Sequence, residues 1–123
     1  MARTAVHRLT PEERTAAKEE MRSILIEHAR ARQTVTYSGL ALMIETAHIH
    51  HRSPLFMHIL SEVCAEEERL GHGMLCALVV SKTTGIPGGG YFSGMAALGR
   101  DLSELEASWR AELEQVFDYW SKH

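Results

Sequence analysis

Thr34-Val35-Thr36-Tyr37-Ser38-Gly39-Leu40-Ala41, residues 34–41, decides how the chain is read, because its residue pattern changes in the middle. The β-branched start suits a brief strand over 33–36. The Thr36 hydroxyl can cap free N–H groups, and Tyr37, Leu40, Ala41 and Ile44 then recur at helical spacing, which predicts a helix from Tyr37 to about Thr46. Ala47 to Arg52 breaks that period. Ser53-Pro54 repeats the signal of a cap followed by proline and predicts a further helix to about Leu70, with Leu55, Phe56, Ile59, Leu60, Val63 and Cys64 inward. Gly71 and Gly73 end it.

Upstream, Thr10-Pro11-Glu12-Glu13 reads as a helix start, and Ala17, Met21, Ile24, Leu25 and His28 form one stripe of a helix over about 11–31. Arg14, Lys18 and Arg22 make a basic line on another face, the pattern of a wet side. Downstream, Leu75 to Val80 predicts an apolar strand. Lys82 to Gly90 is turn chemistry, and Tyr91-Phe92 begins a returning strand, so a β-hairpin is expected. Asp101 or Ser103 opens a last helix with Leu102, Leu105, Trp109, Leu113, Val116, Phe117 and Trp120 on one face. This order predicts an α+β, mainly helical chain. The expected fold is a winged helix-turn-helix with a small sheet and β-hairpin, extended by N- and C-terminal helices, in a single domain over 1–123 with residues 1–10 expected to be flexible.

The run Thr36-Tyr37-Ser38-Gly39-Leu40-Ala41, followed by Leu75-Cys76-Ala77-Leu78-Val79-Val80 and a turn ending Gly89-Gly90-Tyr91, resembles the winged-helix DNA-binding half of the alkyltransferase-like proteins. In that family a Pro-Cys-His-Arg-Val-Val strand carries the methyl-accepting cysteine. Here Cys76 is followed by Ala77-Leu78, so the histidine that would activate the thiol and the arginine that helps extrude the base are both missing. The resemblance implies a fold and DNA contact, not alkyl transfer. Lys82, Gly85, Pro87, Gly88, Gly90 and Tyr91, with Tyr119-Trp120 at the end, extend the likeness to a group of small bacterial and phage proteins of unassigned function. That group implies no chemistry.

Composition bounds the remaining classes. With 123 residues, 45% hydrophobic and 24% charged, the chain resembles soluble globular domains, which excludes disordered, collagenous and linker-like chains. A net charge of −3 and a pI near 6.2 exclude global basicity, so a nucleic-acid surface would be a local patch. Met74 to Val80 is far shorter than the roughly 20 apolar residues a membrane span needs, and Met1 to Thr10 has no apolar core of a signal peptide. Cys64 and Cys76 sit in apolar patterns and are expected to stay reduced and buried. The cytoplasm, of a cell or of an infected host, is the expected location.

His48-Ile49-His50-His51-Arg52 is the most unusual local composition. It reads either as a polar surface turn or as cationic groups at the start of a recognition helix, an end that favours phosphate. On the second reading double-stranded DNA is met by Thr36, Tyr37, Arg52 and Ser53 at the backbone, His51 and His58 nearer the groove, and Lys82 on the wing. His48 and His50 alternate and could face one metal ion. No cysteine or His-Glu-x-x-His spacing accompanies them, so no metal is assigned. Gly85 to Gly90 lacks the Gly-Lys-Ser/Thr ending of a phosphate loop. No catalytic constellation or cofactor motif is found, and the expected function is a non-catalytic DNA-binding or regulatory protein. The alternative is a protein-interaction module, an adaptor or inhibitor, using the acidic face of Glu66, Glu67 and Glu68 or the aromatic last helix. Trp109, Phe117 and Trp120 there suit a helix packed over the first one, a partner interface, or a homodimer.

Overall fold

The computed structural model describes residues 9–100 and 103–123; the expectations placed on residues 1–8, Asp101 and Leu102 lie outside the described residues. The elements are α1 (Pro11–Arg30), β1 (Val35–Thr36), α2 (Tyr37–Met43), α3 (Pro54–Arg69), a 3-10 turn at Leu75–Leu78, β2 (Val79–Val80), α4 (Gly89–Ala97) and α5 (Leu105–Ser121). The chain is thus α+β and mainly helical, with a two-stranded parallel sheet in which Val35 faces Val79 and Thr36 faces Val80. No described helix is long and apolar enough to cross a membrane.

Local chemistry explains where the helices begin. At α1 the Thr10 hydroxyl accepts from the Glu13 N–H (3.0 Å) while the Glu13 carboxylate accepts from the Thr10 N–H (2.9 Å), a reciprocal cap. Thr36 caps α2 by accepting from Gly39 N–H, and Ser53 caps α3 by accepting from Phe56 N–H. Along α1, Ala17, Met21, Leu25 and Ala29 are fully buried, a line at four-residue spacing that meets Phe56, Ile59 and Val63 of α3 and Val116 of α5 in one core.

The basic line of α1 is not a wet face. Arg14 forks onto Glu62 with two bonds of 2.8 Å, Lys18 reaches Glu66 at 2.6 Å, and Arg22 binds Glu67 at 2.7 Å and also Glu66. Partners advance in the same sense along both helices, so α1 and α3 point the same way, with Arg22 reaching back to the turn of α3 that Lys18 also meets. Glu62, Glu66 and Glu67, expected to face water or a partner, therefore face α1. Glu68 pairs with Arg100 at 3.0 Å, and Arg100 also holds Glu112 at 3.1 Å. The interhelix register, which no local pattern encodes, sets these pairings.

These pairs make stability acid-sensitive. The hydrogen bond from Arg14 holds the Glu62 carboxyl below its ordinary 4.5, and bonds from Lys18 and Arg22 do the same for Glu66. A carboxylate whose pKa is depressed by folding adds stability above the unfolded value and loses it as pH falls through the folded one. The melting temperature should hold from neutrality to about pH 5 and drop below about pH 4. Arg14→Gln with Lys18→Gln should drop less over the same range, and equal losses would show that the pairs are inert.

Two segments depart from the expected strands. Leu75–Leu78 is a 3-10 turn, and only Val79–Val80 is extended. Three residues per turn place Leu75 and Leu78 one above the other, both fully buried. Tyr91 and Phe92 lie in α4, so the returning strand and the expected β-hairpin do not form. Tyr91 and Met95, four apart and both buried, are the helical signal that the run of glycines obscured. Trp109, Phe117 and Trp120 are buried within the chain, at 4%, 6% and 8% exposure, which covers the aromatic face considered for a partner or homodimer. Cys64 and Cys76, expected to stay reduced, pair as a disulfide between α3 and the 3-10 turn.

Candidate nucleic-acid interface

Three segments remote in sequence border one cleft of about 730 Å³. They are the start of α2 (Tyr37, Ser38), the turn before α3 (His51, Arg52) and the loop from β2 into α4 (Ser81, Lys82, Thr83, Gly88, Gly89, Gly90), with Met57 at one side. None of these lining residues is a carboxylate, so Arg52, Lys82 and a protonated His51 would set the sign of the local potential in a chain of net charge −3.

Each border is held by local physics. The segment leading to α3 is anchored by Ala47 and Ile49, each 3% exposed, while the alternating His48 and His50 are exposed. The His50 ring nitrogen Nδ1 accepts from the Arg52 N–H at 3.0 Å, and the rings of His50 and His51 stack with centroids 4.5 Å apart. Glu20 of α1 fastens the same segment from behind. Its carboxylate accepts from the Glu45 N–H (2.7 Å) and from both the N–H and the hydroxyl of Thr46 (3.0 and 2.7 Å). Burial opposes ionisation of Glu20, but these hydrogen bonds win and hold it below 4.5.

The loop after β2 closes on itself: the Ser81 N–H donates to the Ile86 carbonyl and the Gly85 N–H to the Ser81 carbonyl, both at 2.8 Å. Gly85 has φ +76°, which a side chain would strain. The loop is then tied to α2, because the half-buried Tyr37 hydroxyl accepts from the Gly88 N–H at 2.9 Å. Burial pushes the Tyr37 hydroxyl above its ordinary 10, partly offset by that bond. Gly88 is the residue before α4 and offers no side-chain cap, so backbone alone forms this edge of the cleft.

Of the residues expected to meet DNA, Tyr37, His51, Arg52 and Lys82 are brought together here. Thr36 and Ser53 are held as helix caps, and the Ser53 hydroxyl also donates to the His50 carbonyl at 2.8 Å. His58 is exposed on α3 and does not line the cleft. Ser38, Ser81, Thr83 and the Gly88–Gly90 backbone line it without having been singled out. Ser38 carried a signal, since it lies in the first turn of the helix that Thr36 caps.

The acidic residues considered for a partner have other neighbours. Glu66 pairs with Lys18 and Arg22, Glu68 with Arg100, and Glu67 is 3% exposed between Arg22 and His72. The turn that ends α3 produces the last contact: the His72 N–H returns to the Glu67 carbonyl and the Gly71 N–H to that of Glu68, both at 3.0 Å, with Gly71 at φ +81°. Among the described residues, no three His, Cys, Asp or Glu side chains converge as a metal group would require. No protein-family model, curated protein or solved structure matches the chain.

Proposed function

We propose that this chain is a non-catalytic DNA-binding or regulatory protein that grips the phosphate backbone of double-stranded DNA in this cleft, in the cytoplasm. The carrying observation is the convergence of Arg52, Lys82, His51 and Tyr37 from three separate segments on one cleft without a carboxylate in its lining. On this reading α2 and α3 are a helix-turn-helix pair. The self-closed loop 81–88 takes the place of a wing, with Lys82 at its exposed side. The Arg52 fork and the Lys82 ammonium would contact phosphate oxygens, and the glycine backbone would permit close approach. The pattern shared with the DNA-binding half of alkyltransferase-like proteins supports the same assignment. The interaction-module alternative has less to work with, because its acidic residues are already paired.

His51 makes the proposal pH-sensitive. Burial of its ring, with His50 and Arg52 adding repulsion, holds it below the ordinary 6.5 in the free chain. A phosphate beside it would favour the protonated form, so binding would take up a proton and affinity would rise as pH falls from 7.5 to about 5.5. The test is fluorescence polarisation of a labelled duplex at two salt concentrations. About three phosphate contacts imply a roughly fortyfold loss of affinity between 50 and 200 mM salt. Arg52→Ala with Lys82→Ala should flatten the salt slope by about 2, and His51→Gln should flatten the pH dependence. The absence of measurable affinity at low salt and pH 6 would overturn the proposal, as would an unchanged slope in the double variant.

A further inference from the structure

A second, mainly apolar groove of about 490 Å³ runs between α3, the 3-10 turn and α4, with Met57, Leu60, Met74 and Leu98 among its walls. The Cys64–Cys76 disulfide lies in this wall, its Cα atoms 5.5 Å apart. Both cysteines line the groove, and the two residues differ in exposure. Cys64 is 6% exposed, and its Sγ is flanked by the Met74 Sδ at 4.0 Å, whereas Cys76 is only half-buried. Arg69 also lines the groove and makes no ion pair among the described residues, while Glu68 beside it pairs with Arg100, which Glu112 shares.

A sealed disulfide is structural; one with a sulfur facing an accessible groove is open to exchange, because the attacking thiolate must reach that sulfur along the S–S axis. We propose that Cys64–Cys76 is a thiol–disulfide exchange site, opened and closed by small carboxylate-bearing monothiols that enter this groove and attack Cys76. Arg69 supplies the charge that attracts such a thiol. In the first step the thiolate bonds to the Cys76 Sγ, the Cys76–Cys64 bond breaks, and its electron pair leaves on Cys64, which takes a proton from water. A second thiol then attacks the small-molecule sulfur of the mixed disulfide and releases Cys76 as a thiol. The protein disulfide is reduced and two monothiols are oxidised to their disulfide; the closing direction consumes that disulfide. In a reducing compartment, where disulfides that form are usually transient, such a pair reports the thiol balance. The inference does not rest on DNA binding.

The test uses the full chain in native buffer, with glutathione as the probe and intact mass after alkylation as the readout. Millimolar reduced glutathione should open the wild-type bond within minutes without denaturant, exposing both thiols to alkylation, and oxidised glutathione should restore it. In Cys64→Ser, oxidised glutathione should add one glutathione at Cys76, about tenfold faster than it labels Cys64 in Cys76→Ser. Opening of the wild-type bond only after urea unfolds the chain would overturn the proposal, as would equal labelling of the two variants.

Discussion

Trp109→Ala should lower the unfolding free energy by about 3–5 kcal/mol, among the largest losses a single substitution causes. The indole is 4% exposed, and its Nε1–H donates to the Ala77 carbonyl at 2.8 Å. That carbonyl lies in the 3-10 turn between α3 and the sheet, and the turn packs against α1, α3 and α5. Truncation therefore removes a large apolar surface and leaves a buried acceptor without its donor. Trp109→Phe separates the two effects: it keeps most of the packing, loses the donor, and should cost about 1–3 kcal/mol. Urea unfolding at constant m-value measures both. A phenylalanine variant as damaged as the alanine variant would show that the hydrogen bond outweighs the packing, and a loss below about 1 kcal/mol for alanine would contradict the assigned core.

Glu67→Ala should cost about 3 kcal/mol. Glu67 is the buried member of the α1–α3 charge array; its Oε2 accepts from Arg22 at 2.7 Å and its Oε1 from the His72 ring nitrogen Nδ1 at 2.8 Å. Removing it takes one of three carboxylate partners from a guanidinium whose side chain is only 15% exposed. Arg22 retains Glu66 and the more exposed Glu19, which puts the expected cost at the low end of the range for breaking a buried pair. The surface pair Arg110–Glu106 is the internal control, because both side chains are about 60% exposed and its removal should change stability by less than about 1 kcal/mol. A double-mutant cycle joining Glu67→Ala and Arg22→Ala should show coupling above about 1 kcal/mol, and additivity would remove the pair from the account of stability.

The helix starts were legible because a cap is a local device. Thr10 with Glu13, Thr36 and Ser53 each satisfy an N–H within three residues of themselves, so neighbours in sequence carry the whole signal. The strand expected over 75–80 was only partly right for the opposite reason: Leu-Cys-Ala-Leu-Val-Val is apolar throughout, and such a run has no period to separate a strand from a tight turn. At α4 the glycines Gly88, Gly89 and Gly90 concealed a helix whose evidence lies in the burial of Tyr91 and Met95. The candidate cleft was half legible. Arg52 and Lys82 could be named as cations, but their meeting depends on the Tyr37–Gly88 hydrogen bond across 51 positions of chain.

By itself the sequence determined the mainly helical class, the helix starts of α1, α2 and α3 and the apolar stripes that build the core, because capping and amphipathic periodicity act over a few residues. Tertiary structure alone decided which charges pair, which sulfurs meet and which polar residues share a cleft. Those outcomes follow from the register of α1 on α3 and from the path of the loop into α4, and electrostatic and sulfur contacts form only where packing brings distant positions within a few ångströms.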